Sequence, residues 1–206
     1  MNIVKQSVEL LWHTPGMEYQ IEVAGRTCYK SEDKINNESS GKFAEQMRKR
    51  GHHAMLEHAV ASFRIITDRG ISHEIVRHRL ASYAQESTRY CNYSGDKFGK
   101  ECTFIQPLGI YGFVLSQWLQ ACQESENRYF RMIELGASPQ IARAVLPNSL
   151  KTEIVMTANL REWRHFIKLR SSKAAHPQII PIAMDIRAAL VREAPNVFAD
   201  LLEDQP

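Results

Sequence analysis

Residues 110–135 constrain what this chain can fold into more than any other stretch. Tyr111, Val114, Leu115, Trp118, Leu119, Cys122, Tyr129, Phe130 and Ile133 recur at helical spacing, and Gly136 ends the run. That period puts an apolar stripe along one face of a long helix, to be covered by core or by another subunit. Residues 151–158 (KTEIVMTA) alternate instead, the pattern of a strand with one buried face. Asn159 then stands where a helix cap is needed, with Glu162 three positions on as a capping-box partner. The segment NLREWRHFIKLR reads as the helix so opened.

The same two periods divide the rest of the chain. Residues 2–12 read as a strand. Residues 18–30 read as a helix with Ile21, Ala24 and Cys28 on one side. A polar loop spans 31–41, and 42–50 form a short helix stopped by Gly51. In 59–68, Ala61, Phe63 and Ile65 alternate against Ser62, Arg64 and Ile66, a strand. Asp68-Arg69-Gly70 turns into an amphipathic helix carrying Ile71, Ile75, Val76, Leu80 and Tyr83, which runs into a polar loop. Residues 91–107 are loop with one short strand near Thr103–Ile105. Ser138 as cap and Pro139 at the first position open a short helix that carries Arg143. A last amphipathic helix runs through Ile182, Ile186, Leu190 and Val191. No repeat or composition break appears. The expected fold is therefore α+β, one domain over 1–206 with an antiparallel or mixed sheet and several helices.

Composition narrows the function. A formal charge of +3 argues against bulk nucleic-acid binding but tolerates anionic substrates. The four cysteines form no C-x-x-C pair, which suits reduced intracellular thiols. There is no signal-peptide pattern and no apolar run long enough to span a membrane, so a soluble cytoplasmic protein is expected.

The richest chemistry lies in RHRLASYAQESTRY, residues 77–90. Arg77, His78 and Arg79, if helical, fan about 100° apart and cannot close on one small anion. Such a fan suits an extended ligand or two ligands. Gln85, Ser87 and Thr88 follow as amide and hydroxyl groups, then Arg89, and arginine suits bidentate phosphate contacts. A solvated basic helix face is the plain alternative. Upstream, GHHAMLEH (51–58) offers three histidines and a glutamate. Its spacing is not H-E-x-x-H and no third ligand follows, so no metal site is expected; hydrogen bonding, or contact of His52 with a flat polar ligand, is the better reading. No G-x-G-x-x-G, Walker loop or G-x-S-x-G elbow is present, and no cysteine sits in a nucleophile signature.

Arg77-His78-Arg79, seven residues and then Ser87 resemble the signature of flavin-dependent thymidylate synthases. GHHAMLEH, SYAQESTRY, ARAVLP around Arg143 and TANLREWRHFIKLR extend the likeness in the family's order. The resemblance implies methylation of dUMP to dTMP. Methylenetetrahydrofolate would be the one-carbon donor, FAD the redox carrier and NADPH the reductant. It also implies a homotetramer with active sites shared between subunits. By motif position, FAD contacts fall on His52, Ala54 (from a neighbouring subunit), Arg77, His78, Arg79, Gln85, Asn159, Arg161 and His165. The dUMP contacts fall on Glu74, Ile75, Val76, Arg77, Gln85, Glu86, Ser87, Thr88, Arg89, Arg143 and Arg170. Arg170 is the activating residue: a guanidinium beside the pyrimidine stabilises charge developing on the ring and makes carbon 5 a better nucleophile. None of the four cysteines would then be essential.

Some positions depart from the family pattern. Ala84 stands where Asn is common, Gln85 for Glu, Ala54 for a hydroxyl residue, His165 for Asn and Glu74 for Gln. A carboxylate at Glu74 would repel a nucleotide phosphate unless it faces an arginine or points away. Two rival classes remain beside the family reading. One is a non-catalytic nucleotide- or RNA-binding module using the same arginines, disfavoured by the modest charge. The other is a metal-dependent hydrolase on His52, His53, Glu57 and His58, distinguishable by stoichiometric zinc without flavin uptake.

Overall fold

The computed structural model describes residues 1–95 and 99–202. The strands are β1 (Asn2–Val4), β2 (Ser7–His13), β3 (Val60–Asp68), β4 (Ala81–Gln85), β5 (Thr103–Ile105) and β6 (Lys151–Asn159). The α-helices are α1 (Met17–Tyr29), α2 (Ser39–Lys49), α3 (Arg69–Ile75), α4 (Gly112–Glu134), α5 (Pro139–Ala142), α6 (Leu160–Arg170), α7 (Ile179–Glu193) and α8 (Pro195–Phe198). The main sheet has the order β2-β3-β6-β4, and β1 pairs with β5 in a separate two-stranded parallel sheet. The fold is α+β. Alternation builds its strands: in β6, Thr152, Ile154, Met156 and Ala158 are buried in turn.

The chain gathers into two compact units, each discontinuous in sequence. One comprises Met1–Ser7, Ile66–Arg77 and Ala84–Ile154. Its core joins Cys102, Phe104, Leu150 and Tyr93 to the buried face of α4, Cys122 and Tyr129. Glu126 on the same face is buried as well, and its carboxylate accepts the Cys102 backbone N–H at 2.7 Å. The sequence stripe of α4 is therefore buried only in part: Tyr111 and Val114, at its start, are exposed.

The second unit comprises Val8–Ile65, His78–Tyr83 and the chain from Val155 onward. Trp163 of α6 lies at its centre, fully buried, packed edge-to-face on Phe63 with ring centroids 5.0 Å apart and its Nε1–H donated to the Ala61 carbonyl at 3.0 Å. Helix α1 buries Met17, Ile21, Glu22 and Gly25, whereas Cys28, expected on the buried side, is exposed. The fully buried Glu22 is satisfied by Arg26 and by the Ser39 hydroxyl at 2.7 Å, which is how a carboxylate enters a core stripe. Gly25 is required by contact: a Cβ there would sit 2.5 Å from the Phe43 ring.

Three local expectations change. Helix α2 begins at Ser39 rather than 42, inside the stretch read as loop. Ser138 makes no side-chain cap; its carbonyl instead accepts from the Ile141 and Ala142 amides. The helix opened at Asp68, whose carboxylate accepts the Ile71 amide at 2.7 Å, ends at Ile75. Val76 and Leu80 are exposed, and the chain resumes as β4, next to β6 in the sheet. Sheet pairing over a long sequence separation outweighs a helical period carried by a few apolar residues. The loop expected over 91–107 includes residues 96–98, which lie outside the described residues.

Replacing Trp163 by Ala removes a fully buried ring and one hydrogen bond. The expected loss is about 3–5 kcal/mol in urea unfolding. A loss below about 1 kcal/mol, the range of ordinary surface changes, would mean Trp163 is not central to this packing.

Candidate functional site

Arg77, His78 and Arg79 do not fan around a helix. Arg77 lies in the turn that ends α3, and His78 and Arg79 follow on irregular chain; the arginines are exposed and His78 is buried. The His78 ring is held on both edges. Its Nδ1 lies 3.1 Å from Glu162 Oε1, and its Nε2 accepts the Arg170 Nε–H at 3.1 Å. A guanidinium only donates, so Nε2 carries no proton and Nδ1–H donates to the carboxylate. Tyr83 donates its hydroxyl to the His78 carbonyl at 2.6 Å. Glu162 and Arg170 both come from α6. The Asn159 side chain caps that helix by accepting the Glu162 amide at 2.9 Å.

Burial pushes the His78 pKa down, against the opposing pull of Glu162; the Arg170 charge lowers it further. Burial pushes the Tyr83 hydroxyl up to about 12, with Glu162 adding to the effect. Both groups are therefore neutral near pH 7.

A cavity of about 600 Å³ opens beside this cluster, in the same unit. Asn159, Arg161, His165 and Lys168 line it with donors and charge, and Leu56 and Leu80 give it apolar walls. His53 lines it rather than His52, which is exposed like Ala54. Arg161 pairs with Glu57 at 2.6 Å, but both are half exposed, so the pair is weak and exchangeable. Cations and amide beside apolar walls suit a ligand with phosphate and a flat ring, which is the chemistry of a flavin nucleotide.

Other sequence-predicted residues meet in the first unit. Arg143 donates to the Thr88 hydroxyl at 2.8 Å. Ser87 opens a tight turn: its carbonyl accepts from the Tyr90 and Cys91 amides and its hydroxyl from the Arg89 amide. The exposed Arg89 lies over the Tyr90 ring. Glu86 receives Lys151 at 3.2 Å and, on its carbonyl, Arg69 at 2.7 Å. Gln85 gives its amide N–H to Ser72 and Thr152. Glu74 faces Arg77 at 3.7 Å, a partner for the carboxylate that stood out in the sequence. The Ile75 side chain is fully buried, so only its backbone could meet a ligand.

Sequence reasoning missed the second role of Glu162, which capping explained too readily, and the cavity positions of His53, Leu80, Arg164 and Lys168. Among the described residues, the His/Cys/Asp/Glu group close enough to hold an ion is His78, Glu162 and His165, not the GHHAMLEH histidines. Both His78 nitrogens are already engaged there. Of the cysteines, Cys102 and Cys122 are buried; burial pushes the Cys102 thiol up to about 12, the Glu126 charge adding to it, and raises Cys122 too.

A family model described as thymidylate synthase complementing protein matches residues 9–196. Flavin-dependent thymidylate synthase of Geobacter sulfurreducens is 33% identical over 205 residues, covering 94% of this chain and 85% of that protein. The enzyme of the same name from Corynebacterium efficiens is 34% identical, covering 92% and 82%. That of Mycobacterium tuberculosis is 34% identical, covering 87% and 78%. The solved structure of a UMP/dUMP methylase, PolB from Streptomyces cacaoi bound with 5-Br dUMP, shares the fold with a TM-score of 0.83. Its identity is 22%, over 100% of this chain and 98% of that one. The chain thus belongs to a family of nucleotide-modifying enzymes, the flavin-dependent thymidylate synthases.

The folded protein binds fewer protons at His78 than the unfolded chain does. Stability present at pH 8 is therefore lost as pH falls below the ordinary histidine value of about 6.5. His78→Gln should flatten that limb in urea midpoints measured from pH 8 to pH 5. An identical limb in both proteins would show that His78 does not titrate as its surroundings require.

Proposed function

We propose that the protein methylates dUMP to dTMP, with methylenetetrahydrofolate as one-carbon donor, FAD as redox carrier and NADPH as reductant. The observation that carries the reading is Arg170: a buried guanidinium held by the histidine of the R-H-R motif, in a chain of this family. A basic residue merely complementing a helix C-terminus needs neither this burial nor a histidine acceptor. The names of the relatives and the bromo-dUMP in the PolB structure agree with the substrate.

Bound flavin would supply the hydride chemistry. Asn159, Arg161, His165 and Lys168 would hold it, with Arg77, His78, Arg79 and Gln85 as further contacts. Arg89, Arg143 and the Ser87 turn would hold the nucleotide phosphate and ribose. Arg170 would stabilise negative charge on the uracil ring as carbon 5 bonds to the one-carbon unit, a folate carbon–nitrogen bond breaks with its electron pair going to nitrogen, and the carbon 5 proton leaves. No thiolate is then needed. One synthase domain over 1–206, assembled as a homotetramer with shared active sites, completes the reading. The exposed Tyr111, Phe113 and Val114 at the start of α4 suit such subunit contacts.

Tritium release from dUMP labelled at carbon 5 tests this, with FAD, NADPH and methylenetetrahydrofolate present and each omitted in turn. Release that needs flavin and reductant, with dTMP formed, is expected; no release by FAD-bound protein would overturn the reading. Arg170→Ala should retain FAD and lose turnover by about 10²–10³-fold, the scale of one removed electrostatic donor. Wild-type turnover in that variant would take Arg170 out of the mechanism.

A further inference from the structure

The reading above gives Glu162 no task, yet its carboxylate is buried and aimed at a motif histidine. Its backbone amide is already satisfied by Asn159. We propose that Glu162 is a positioning residue: through the His78 ring it fixes the acceptor that holds the Arg170 guanidinium. The proposal rests on the role given to Arg170.

The chain Glu162–His78–Arg170 has one consistent proton arrangement. The guanidinium can only donate, so His78 Nε2 must accept, and its proton must reside on Nδ1. The Glu162 carboxylate accepts that proton at 3.1 Å, and Nε2 meets Arg170 Nε at 3.1 Å. The ring has little freedom to turn, with Phe166 at 4.8 Å and His165 at 5.3 Å between centroids. Tyr83 fixes the backbone of the same residue.

Without the carboxylate, Nδ1–H becomes a buried donor with no acceptor, a costly state. Moving the proton to Nε2 relieves it but sets N–H against the Arg170 N–H. In either case the Nε end of the guanidinium loses its anchor. A side chain that orients a histidine tautomer acts in this way when it stands behind a reacting group rather than on it.

The test uses full-length, flavin-loaded protein carrying Glu162→Leu or Glu162→Gln. Leu removes the acceptor; the Gln amide oxygen can still accept from Nδ1–H. Tritium release per bound flavin should fall about 10–100-fold in the Leu variant, as for other groups that orient a functional side chain. The loss should fall in kcat more than in the KM for dUMP, and Gln should restore most of the rate. A merely structural carboxylate would lower flavin content or thermal midpoint and leave the rate per bound flavin unchanged, overturning the proposal. Nitrogen NMR of labelled histidine gives a readout independent of activity. It should show His78 protonated at Nδ1 and not at Nε2 in wild type and Gln, with that pattern lost in Leu. If wild-type protein releases no tritium, the functional reading falls, and an unchanged pattern in the Leu variant would overturn the relay separately. Should the Leu variant not fold, the Gln variant decides. Its acid limb of activity should move to lower pH, since an amide supports the imidazolium less than a carboxylate does, and an unmoved limb would overturn the proposal.

Discussion

The join between β6 and α6 at Asn159 sets the phase of everything around the cavity. The Asn159 side chain accepts the Glu162 amide, and the Leu160 amide donates to the Ala59 carbonyl, so the first turn of α6 is tied to its cap and to the residue before β3. With that phase fixed, Trp163, Phe166 and Ile167 enter the core while Arg161, His165 and Lys168 line the cavity. A shift by one residue would turn the helix by about 100° and exchange those faces. The apolar packing of α6 and the placement of its charges are thus one constraint.

The buried charge on α6 gains little stability by itself. Taking a carboxylate and a guanidinium out of water costs several kcal/mol, and their hydrogen bonds only roughly offset this. What the arrangement supplies is definition: a neutral imidazole with one proton position between an acceptor and a donor. Enzymes that act through electrostatics need their charged groups held before the reaction begins, because a guanidinium that must reorient loses much of its effect. The proposed mechanism calls on no cysteine nucleophile, in keeping with Cys102 and Cys122, whose thiols are buried with their pKa values raised by that burial.

Much of this was legible in the residues. Alternation marked β6, and Asn159 announced the helix after it. Gly136 marked the end of α4, and the motifs brought out Arg143 and Arg170. The segment after Ile75 was misread, because Ile71 and Ile75 do lie on a helix and Val76, Leu80 and Tyr83 continue its period by coincidence. Nothing local shows that the chain there leaves α3 and becomes β4; pairing within the sheet decides it. For the same reason the arginines and histidine of the motif were read as a fan, when the turn and irregular chain after α3 bury His78 and leave its neighbours exposed. Glu162 was hidden by a simpler explanation, since an acidic residue three positions after a cap needs no further partner. Likewise the Arg143–Thr88 bond joins residues far apart in sequence, which only the fold brings together.

The central claim is that Arg170 acts on the pyrimidine while anchored by His78. A crystal structure of the protein with FAD and dUMP tests this most directly. The account predicts the Arg170 guanidinium within hydrogen-bond distance of a uracil carbonyl, with its Nε still donating to His78 Nε2 and FAD in the cavity lined by Asn159, Arg161 and His165. A uracil ring bound away from Arg170, or an Arg170 that abandons His78 to reach it, would contradict it.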